Sequence, residues 1–506
     1  MGPRVNEIYE AAKRGLDATL DKLLQDLPVP SPPVKHRTDD DPKVKYGETW
    51  VNTPYGGSIR FRGQSLNSWY ARSLVAADSP LNLRTRMVYF WCNYFGMSGP
   101  QTDHRAMYKQ LRLFQEEGLG NYRKMIERVT IEPRMLDFLD GDVNNKKNPN
   151  ENYGRELMEL FTIGKGPLVG PGDYTNYTEQ DVAALSRSLT GWTNRDYLYS
   201  SKNTPVESYF DSSNHDTGDK QLSHRFGNKV IRNAGANEYK VVIGILFEQR
   251  ETARNFCRKL YRYFVYHEIT DKIERELIDP MADTLIDNDF EIKPALRQLL
   301  SSDHFYDPAL RGGMIKNPQE YLCSIVRPFN EYGHDSRLKD VRLSYDLGDR
   351  YAIMLSKLNM DILEAPTVSG WKAYYDSPQY YRHWISPALM KYRYETANSF
   401  VNRDFHINNV IMDFDWYAFV DSLPGKYDIN DMIDDMLLVF LPRELNKEQR
   451  QYLKDQIMEG AIDEDWIFEI KAYLINPGNR SFYFPIEQRL RKFFSSLFSI
   501  AEFQLQ

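Results

Sequence analysis

The sequence has 506 residues, of which 42% are hydrophobic and 27% are charged, and its formal net charge at pH 7 is −7. This composition is ordinary for a folded globular protein and excludes wholesale disorder. No cluster of lysine and arginine is long enough to follow a phosphate backbone, so nucleic-acid binding is not expected. The longest apolar run, residues 87–97, is far short of the roughly 20 residues that a membrane helix needs, and no membrane span is predicted.

The first predicted element is a helix over residues 4–26, because its apolar side chains recur at helical spacing. Prolines between residues 28 and 33 end this helix, and the charged stretch 36–45 is predicted to be an exposed loop. No charged-then-apolar leader opens the chain, so the sequence leaves the compartment unassigned. A periplasmic or secreted location is compatible with a trimmed amino terminus.

Helical periodicity returns over residues 66–97, where the segment 84–96 is apolar on nearly all sides. Such a segment is typical of a helix at the centre of a core. The three cysteines, Cys92, Cys257 and Cys323, each lie in an apolar helical run and form no CxxC pair. We therefore predict buried free thiols.

Two further helices have clear start and stop signals. Asn150 is placed to cap a helix over residues 151–163, which Gly164 can end in a left-handed conformation. Thr178 and Asp181 form the pattern of a capping box, which predicts a helix that starts there and continues to about residue 190.

Residues 193–245 are polar, rich in Asn, Ser and Gly, and without helical period, which predicts a long irregular loop with short strands near 229–231. The sequence predicts an all-α protein in three sections: an amino-terminal helix and Pro-rich loop (1–64), a main helical domain (65–395) and a smaller helical carboxy-terminal section (396–506). Beyond the loop, the predicted helices are 251–267, 271–287, 294–302, 318–332, 429–440, 447–459 and 486–498.

A series of motifs, in this order, carries a family resemblance. They are FWCNYF (90–95), GLGNY (118–122), LDG (139–141), PNENYGRELMELFTIG (149–164), YTEQDV (177–182), LTGW (189–192), HDTGDK (215–220), KNPQE (316–320), APTVSGW (365–371) and EFQL (502–505). The chain resembles the bacterial family called domain of unknown function 1800 over nearly its whole length. The motif at 149–164 is the most specific of these.

The resemblance implies a bacterial origin and a frequent neighbour gene for a second family, domain of unknown function 1501, which resembles the alkaline-phosphatase fold. A protein of that family is therefore a candidate partner. The resemblance supplies no established catalytic residues. Family members often have histidine at the places of Cys92 and Tyr94, and residues two apart on a helix point about 200° away from each other, so these two cannot hold one ion. Asn93, between them, is predicted to tie its helix to the helix at 151–163.

The predicted helix 151–163 carries the strongest candidate site. Glu151, Asn152, Arg155, Glu156 and Glu159 share one side at spacings of three and four residues. Glu156 and Glu159 are placed to bind one edge of a metal ion or to act as an acid/base pair. The alternatives are a solvated face with Glu151–Arg155 and Arg155–Glu159 ion pairs, or a buried polar network between helices.

An EF-hand-like spacing overlaps the start of this helix. Asp140, Asp142, Asn144 and Glu151 stand at positions 1, 3, 5 and 12, where oxygen ligands can surround a calcium ion. Asn at position 6, two lysines and a proline within the loop oppose this reading. The alternative is a turn-rich segment that leads into the helix.

His215 and Asp216 lie in the irregular loop, close in sequence to Asp211, Lys220 and His224. A histidine beside an aspartate can ligate a metal or transfer protons, and functional residues often lie on such loops. The alternative is that the aspartates form turns and His215 packs as part of a lid.

Residues 371–394 are dense in aromatic side chains, including Trp371, Tyr374, Tyr375, Tyr392 and Tyr394. In a surface cleft such rings can stack on sugars, which makes a glycan a candidate ligand. Packing between subdomains is the alternative.

Two functions remain open, since no GxSxG, HExxH, Walker or GxGxxG motif has a convincing context. The first is an enzyme with an acid/base or metal-assisted site between helices, for which a divalent metal is the candidate cofactor. Its predicted catalytic residues are Arg155, Glu156, Glu159, Asp181 and His215, and its predicted metal ligands are Glu156, Glu159, His215 and Asp216. The second is a non-catalytic binding or assembly protein that partners an exported protein or a glycan.

Overall fold

The computed structural model describes residues 2–38, 41–56, 59–75, 81–97, 102–198, 206–332 and 336–506. Within these ranges the chain is mainly α-helical and its strands are short, which confirms the predicted all-α class. Parts of three predicted segments lie outside the described residues, namely 39–40 of the charged loop, 76–80 of the helical stretch after residue 66, and 199–205 of the irregular loop.

The helices of the first two thirds of the chain pack around an extended apolar core. In chain order they are α1 Val5–Arg14, α2 Leu16–Leu23, α3 Arg60–Val75, α4 Arg84–Tyr94, α5 His104–Glu117, α6 Tyr122–Thr130, α7 Pro133–Phe138, α8 Glu151–Glu159, α9 Glu179–Ser188, α10 Glu238–Phe247, α11 Arg250–Phe264, α12 Asp271–Ile273, α13 Asp279–Asp287, α14 Ile292–Ser301 and α15 Pro318–Val326. A π-helical segment, Glu274–Ile278, joins α12 to α13.

The last third of the chain continues the same core. Its helices are α16 Val341–Lys357, α17 Pro387–Val401, α18 Trp416–Ser422, α19 Ile429–Phe440, α20 Lys447–Met458, α21 Asp463–Ile475 and α22 Arg480–Leu497. The ring of Phe329 stacks on Phe414 and contacts Phe494, so aromatic packing joins this part to the preceding one. The predicted boundaries at residues 64 and 395 remain a prediction.

The strands form small antiparallel pairs at the edge of the helical body. They are β1 Leu168–Gly170 with β2 Asp173–Tyr174, β3 Trp192–Arg195 with β4 Glu207–Phe210, β5 Lys220–Gln221 with β6 Val230–Ile231, and β7 His406–Ile407 with β8 Val410–Ile411. The strand predicted near 229–231 is therefore confirmed. The predicted carboxyl-terminal bound of the irregular loop, residue 245, is wrong. Helix α10 already begins at Glu238, where a mostly apolar run replaces the polar sequence.

The amino-terminal helix predicted over residues 4–26 is wrong as one element. The structure divides it into α1 and α2 at Gly15, which adopts a φ of 86°. Glycine takes this left-handed conformation without the steric cost that a Cβ atom imposes, and the chain changes direction there.

The predicted helix signals around α8 and α9 are confirmed. The Asn150 side chain accepts a hydrogen bond from the backbone N–H of Asn152, and Gly164 has a φ of 74° with its N–H bonded to the Met158 carbonyl at 2.9 Å. Thr178 and Asp181 form the predicted capping box. The regular helix ends at Glu159, a few residues earlier than predicted, and irregular turns lead on to Gly164.

Helix α4 lies at the centre of the core, as predicted, and its residues from Met87 onward are buried. The Trp91 ring stacks on Phe95 and on Phe256 of α11. The three cysteines are buried and free, also as predicted. Across the described ranges, none of the helices combines the length and the apolar character that crossing a bilayer requires.

Candidate functional site

Arg155, a predicted catalytic residue, joins α8 to α9. Its guanidinium donates two hydrogen bonds of 2.7 Å to the carboxylate of Glu179, and Glu151 lies 3.5 Å away. The bidentate arrangement fixes both helices in register. The predicted ion pair between Arg155 and Glu151 is therefore present. The predicted pair with Glu159 is not formed between these two described residues, because the guanidinium is directed at Glu179.

Asp181, a second predicted catalytic residue, is fully buried and accepts four hydrogen bonds. The donors are the backbone N–H and hydroxyl of Thr178, at 2.8 and 3.0 Å, and the backbone N–H and hydroxyl of Ser223, both at 2.7 Å. The carboxylate therefore caps α9 and attaches the segment around Ser223 to it. Its oxygens are already used by the fold.

His215 is also buried, and it belongs to what we call the Glu238 cluster, defined as His215, Lys220 and Glu238. The imidazole Nδ1 donates to the Thr190 carbonyl at 2.9 Å, and Nε2 lies 3.1 Å from Oε2 of Glu238. The Nζ of Lys220 lies 2.6 Å from Oε1 of the same carboxylate. All three side chains are at most 2% exposed, so each meets its partners inside the fold and not in solvent.

Asp216, a predicted metal ligand, instead binds the guanidinium of Arg187. The two hydrogen bonds measure 2.7 and 3.1 Å, and they hold the pKa of the Asp216 carboxyl below its ordinary value. No hydrogen bond or ion pair joins His215 or Asp216 to Glu156 or Glu159, all four of which are described. Across the described ranges no group of three or more His, Cys, Asp or Glu side chains is arranged to hold a metal. The metal site therefore stays a prediction.

The EF-hand-like segment forms a turn in which the side-chain oxygen of Asn144, a predicted calcium ligand, already accepts a hydrogen bond. Asn144 is buried, its Oδ1 accepts the N–H of Asn150 at 2.8 Å, and its amide donates to the Ser186 carbonyl at 3.0 Å. Asp140 has a φ of 54°, the left-handed conformation that aspartate tolerates in turns. This geometry is that of the alternative, a segment that leads the chain into α8.

Glu156 and Glu159 are both half-buried near the carboxyl end of α8. The Oε2 of Glu159 accepts a 2.8 Å hydrogen bond from the Tyr177 hydroxyl and lies 3.6 Å from the Nζ of Lys165. The side chain of Glu156 has no hydrogen-bond or ion-pair partner in the described part of the chain. Burial, and next the nearby charge of Glu159, raise the pKa of Glu156.

Beside Glu159 the structure opens into a cavity of about 190 Å³, which we call the aromatic pocket. It lies between α4, α8 and α11 and is closed on one side by the loop 369–375. Its lining comprises Phe90, Asn93, Tyr94, Glu159, Leu160, Lys259, Arg262, Tyr263, Ser369, Tyr374 and Tyr375.

Lys259 of α11 extends into this pocket without a carboxylate partner among the described residues. Its Nζ donates to the Leu160 carbonyl at 2.5 Å and lies 4.2 Å from the centroid of the Tyr94 ring. Burial, and next the nearby positive charge of Arg262, lower the pKa of Lys259 to about 7. A large fraction of this amine is therefore neutral near pH 7.

Arg262 follows one helical turn after Lys259 and lines the same pocket. Its Nε donates to the His267 carbonyl at 3.4 Å, and no ion pair to it is formed by the residues that the structure describes. Burial lowers the pKa of Arg262, but an arginine side chain keeps its charge at physiological pH. The pocket thus contains a permanent cation one helical turn from an amine with a lowered pKa.

Backbone contacts fix the wall formed by the loop 369–375. The Oδ1 of Asn93 accepts a hydrogen bond from the N–H of Trp371 at 2.8 Å. The predicted connection of Asn93 to α8 is therefore wrong, because its side chain binds this loop. A Cβ atom on Gly96 would overlap the Val368 carbonyl oxygen, and one on Gly370 would overlap the Asn93 carbonyl oxygen. The two motifs 90–95 and 365–371 can approach this closely only because both positions are glycine.

Tyr94 makes the connection to the α8 segment that was predicted for Asn93. Its hydroxyl donates to the Phe161 carbonyl at 3.1 Å and lies 3.0 Å from the hydroxyl of Tyr122, which donates to the same carbonyl at 2.8 Å. Burial raises the pKa of the neighbouring Cys92 thiol, so Cys92 is an inert core residue.

The family described as protein of unknown function (DUF1800) matches residues 1–504 of the chain. The chain belongs to this family. No curated protein and no solved structure matches it. Three of the motifs that carry the family resemblance, 90–95, 149–164 and 365–371, line the aromatic pocket together.

Sequence reasoning missed Lys259 and Arg262. They lie in a helix with several other basic residues, where a lysine is usually solvated. A signal was present, because Lys259 stands three residues after Phe256 and four before Tyr263, so two aromatic residues flank it on one helical face. The aromatic segment was only partly predicted: Tyr374 and Tyr375 line the pocket, whereas Trp371 is buried in the core.

Proposed function

We propose that the protein is an enzyme whose active site is the aromatic pocket, with Lys259 as its reactive amine and Glu159 as its carboxylate. The observation that carries the proposal is a lysine with a pKa of about 7 that lines a cavity and forms no ion pair with any described residue. A neutral amine at neutral pH can act as a general base or as a nucleophile.

The location of the other predicted residues supports this assignment. Arg155, Asp181 and His215 are saturated by Glu179, by Thr178 and Ser223, and by the Glu238 cluster, respectively. Such saturated groups hold the fold together and have no free lone pair or proton to offer a substrate. In the proposal they keep α8 and α9 in place beside the pocket. Glu159 is the predicted catalytic residue that lines the cavity.

The predicted divalent metal is not part of this proposal. Glu156 and Glu159 offer two carboxylates from one face of α8, with Glu156 free of partners among the described residues. Metal analysis of the purified wild type and of Glu156→Gln tests the prediction directly. Stoichiometric metal that disappears in the variant would move the chemistry from the amine to the carboxylates.

The experiment that tests the proposal measures the reactivity of individual lysines. The native protein is acetylated briefly with acetic anhydride at several pH values, and the modified peptides are quantified by mass spectrometry. We expect the rate at Lys259 to titrate near pH 7. Lys272, which is 75% exposed, is the reference for a solvent-exposed amine.

Lys316 is a matched control. Burial also lowers its pKa to about 7, but its Nζ donates to the Phe503 carbonyl at 2.8 Å and it does not line the aromatic pocket. It should stay unmodified until the protein unfolds. A rate at Lys259 that follows Lys272, or no reaction at Lys259 in the native state, would refute the proposal. Any turnover found in substrate screens should fall by about 100-fold or more in Lys259→Met.

A second candidate function is non-catalytic binding of a glycan or of an exported partner such as a family 1501 protein. The tyrosines in the pocket favour a glycan, and the exposed side chains of Phe468 and Ile475, at 76% and 77%, favour a protein partner. Glycan binding that survives Lys259→Met unchanged would support this candidate over the enzyme.

A further inference from the structure

The permanent cation that lines the aromatic pocket, Arg262, has no ion-pair partner in the described ranges. The carboxylate of the pocket, Glu159, is already engaged by Tyr177 and Lys165. A permanent cation that faces a cavity without a counter-charge favours an anionic ligand, because the ligand replaces the missing ion pair.

The pocket has room for a small organic anion. Its volume of about 190 Å³ is well above the roughly 10–15 Å³ that a single water molecule needs on the same measure. Arg262 offers a planar set of donors that matches a carboxylate, and it lies one helical turn from the Lys259 amine.

We propose that the pocket takes a small oxo acid, whose carboxylate binds Arg262 and whose carbonyl carbon forms a Schiff base with the Nζ of Lys259. This inference rests on the proposed function, in which Lys259 is the reactive amine. It adds the substrate class and the covalent form of the chemistry.

The step balances without any oxidant or reductant. The lone pair of the neutral amine attacks the carbonyl carbon, and a C–N bond forms as the carbonyl π bond breaks. The two protons of the amine then leave with the carbonyl oxygen as water, and a C=N bond remains. Glu159 lines the same pocket and can receive a proton from nitrogen and return it to the departing oxygen.

The test traps the Schiff base in the full-length protein. Pyruvate is added together with sodium cyanoborohydride, which reduces the imine to a stable secondary amine, and the modified lysine is identified by peptide mapping. We expect modification at Lys259 well above that at exposed Lys272, and none at residue 259 in Lys259→Met. Acetone, which carries a methyl group where pyruvate has its carboxylate, should react poorly with the wild type.

The role of Arg262 is tested with Arg262→Gln. Trapping with pyruvate should fall by at least about tenfold, as expected for the loss of a charged hydrogen-bond pair. Equal trapping of acetone and pyruvate in the wild type would overturn the recognition of an anion, and that comparison needs no variant. If pyruvate and longer oxo acids leave Lys259 unmodified while its acetylation still titrates near pH 7, this inference fails and the proposed function stands. If the acetylation also fails, both fall.

Discussion

The Glu238 cluster and the aromatic pocket both place ionisable side chains inside the protein, but they resolve the cost of burial in opposite ways. In the cluster, the carboxylate of Glu238 binds both His215 and Lys220, and none of the three is more than 2% exposed. In the pocket, the partners of Lys259 among the described residues are a backbone carbonyl and a ring face, and its pKa falls to about 7.

This difference separates residues that stabilise the fold from residues that are available to a ligand. Buried groups that satisfy one another stabilise one conformation and have nothing left for a ligand. A half-buried amine without a counter-charge among the described residues loses its proton easily, and beside a cavity it can react with what enters. Histidine and aspartate attract attention in a sequence, yet here the lysine is the better candidate.

The largest effect is expected from breaking the cluster. Glu238→Gln should lower the free energy of unfolding by about 4 kcal/mol, because Lys220 and His215 are left buried without a counter-charge. Chemical denaturation measures this. Glu248→Gln, at the end of the same helix, removes an exposed carboxylate paired with Lys229 and should change stability by less than about 0.5 kcal/mol. Equal midpoints for the two variants would contradict the contrast.

A smaller loss is expected at Asp181. Asp181→Asn turns one acceptor oxygen into a donor facing the donors of Thr178 and Ser223, at a cost of about 3 kcal/mol. Thermal and urea unfolding both report it. Asp211→Asn is the matched control, because Asp211 caps a short exposed turn where asparagine serves equally well. If Asp181→Asn unfolds like that control, Asp181 is not a structural anchor.

The pH dependence of stability tests the lowered pKa of Lys259 in the pocket. Lys259 binds fewer protons in the folded than in the unfolded protein between pH 7 and its ordinary value of 10.5, so its contribution to the free energy of unfolding rises with pH across this window. Lys259→Met lacks this contribution. The wild type should therefore gain stability relative to Lys259→Met from pH 7 to 10.5 in urea titrations. The exposed Lys272→Met serves as control, and a constant difference for Lys259→Met would exclude the lowered pKa.

The smallest effect is expected at Glu156. Because burial raises its pKa above 4.5, the wild type loses stability as the pH rises through that raised value, and Glu156→Gln does not. At pH 7 the variant should be as stable as the wild type or more stable by less than about 1 kcal/mol. Glu151→Gln, which loses an exposed carboxylate near Arg155, should show no gain. A destabilised Glu156→Gln would reveal a partner for this carboxylate.

Local chemistry was enough to predict much of the fold. The side chains of Asn150, Thr178 and Asp181 cap helix starts by bonding to backbone groups only two or three residues away. Both partners of each bond are therefore visible in the local sequence. The break at Gly15 was not predicted, because α1 and α2 continue one apolar stripe and only the glycine differs. The start of α10 was missed because a helix that is apolar nearly all round has no polar face to mark its period.

The candidate site was harder to predict from the sequence than the fold, because it depends on contacts between residues distant in the chain. Glu159 was predicted from its helical face, but its partner Tyr177 lies in another segment. The environment of Lys259 is made by Leu160 and Tyr94, about 100 and 165 residues earlier in the chain. No periodicity or motif contains that information, and only the packing of α4, α8 and α11 brings it together.

The glycines at 96 and 370 have a consequence for how this protein can diversify. They hold one pocket wall through main-chain contact, so the position of that wall does not depend on which side chains it presents. Ser369 can therefore be exchanged without moving the frame, so the lining of the pocket can vary at this position. A bulkier residue at either glycine would instead require simultaneous changes in both segments, which makes the two stretches evolve as one unit.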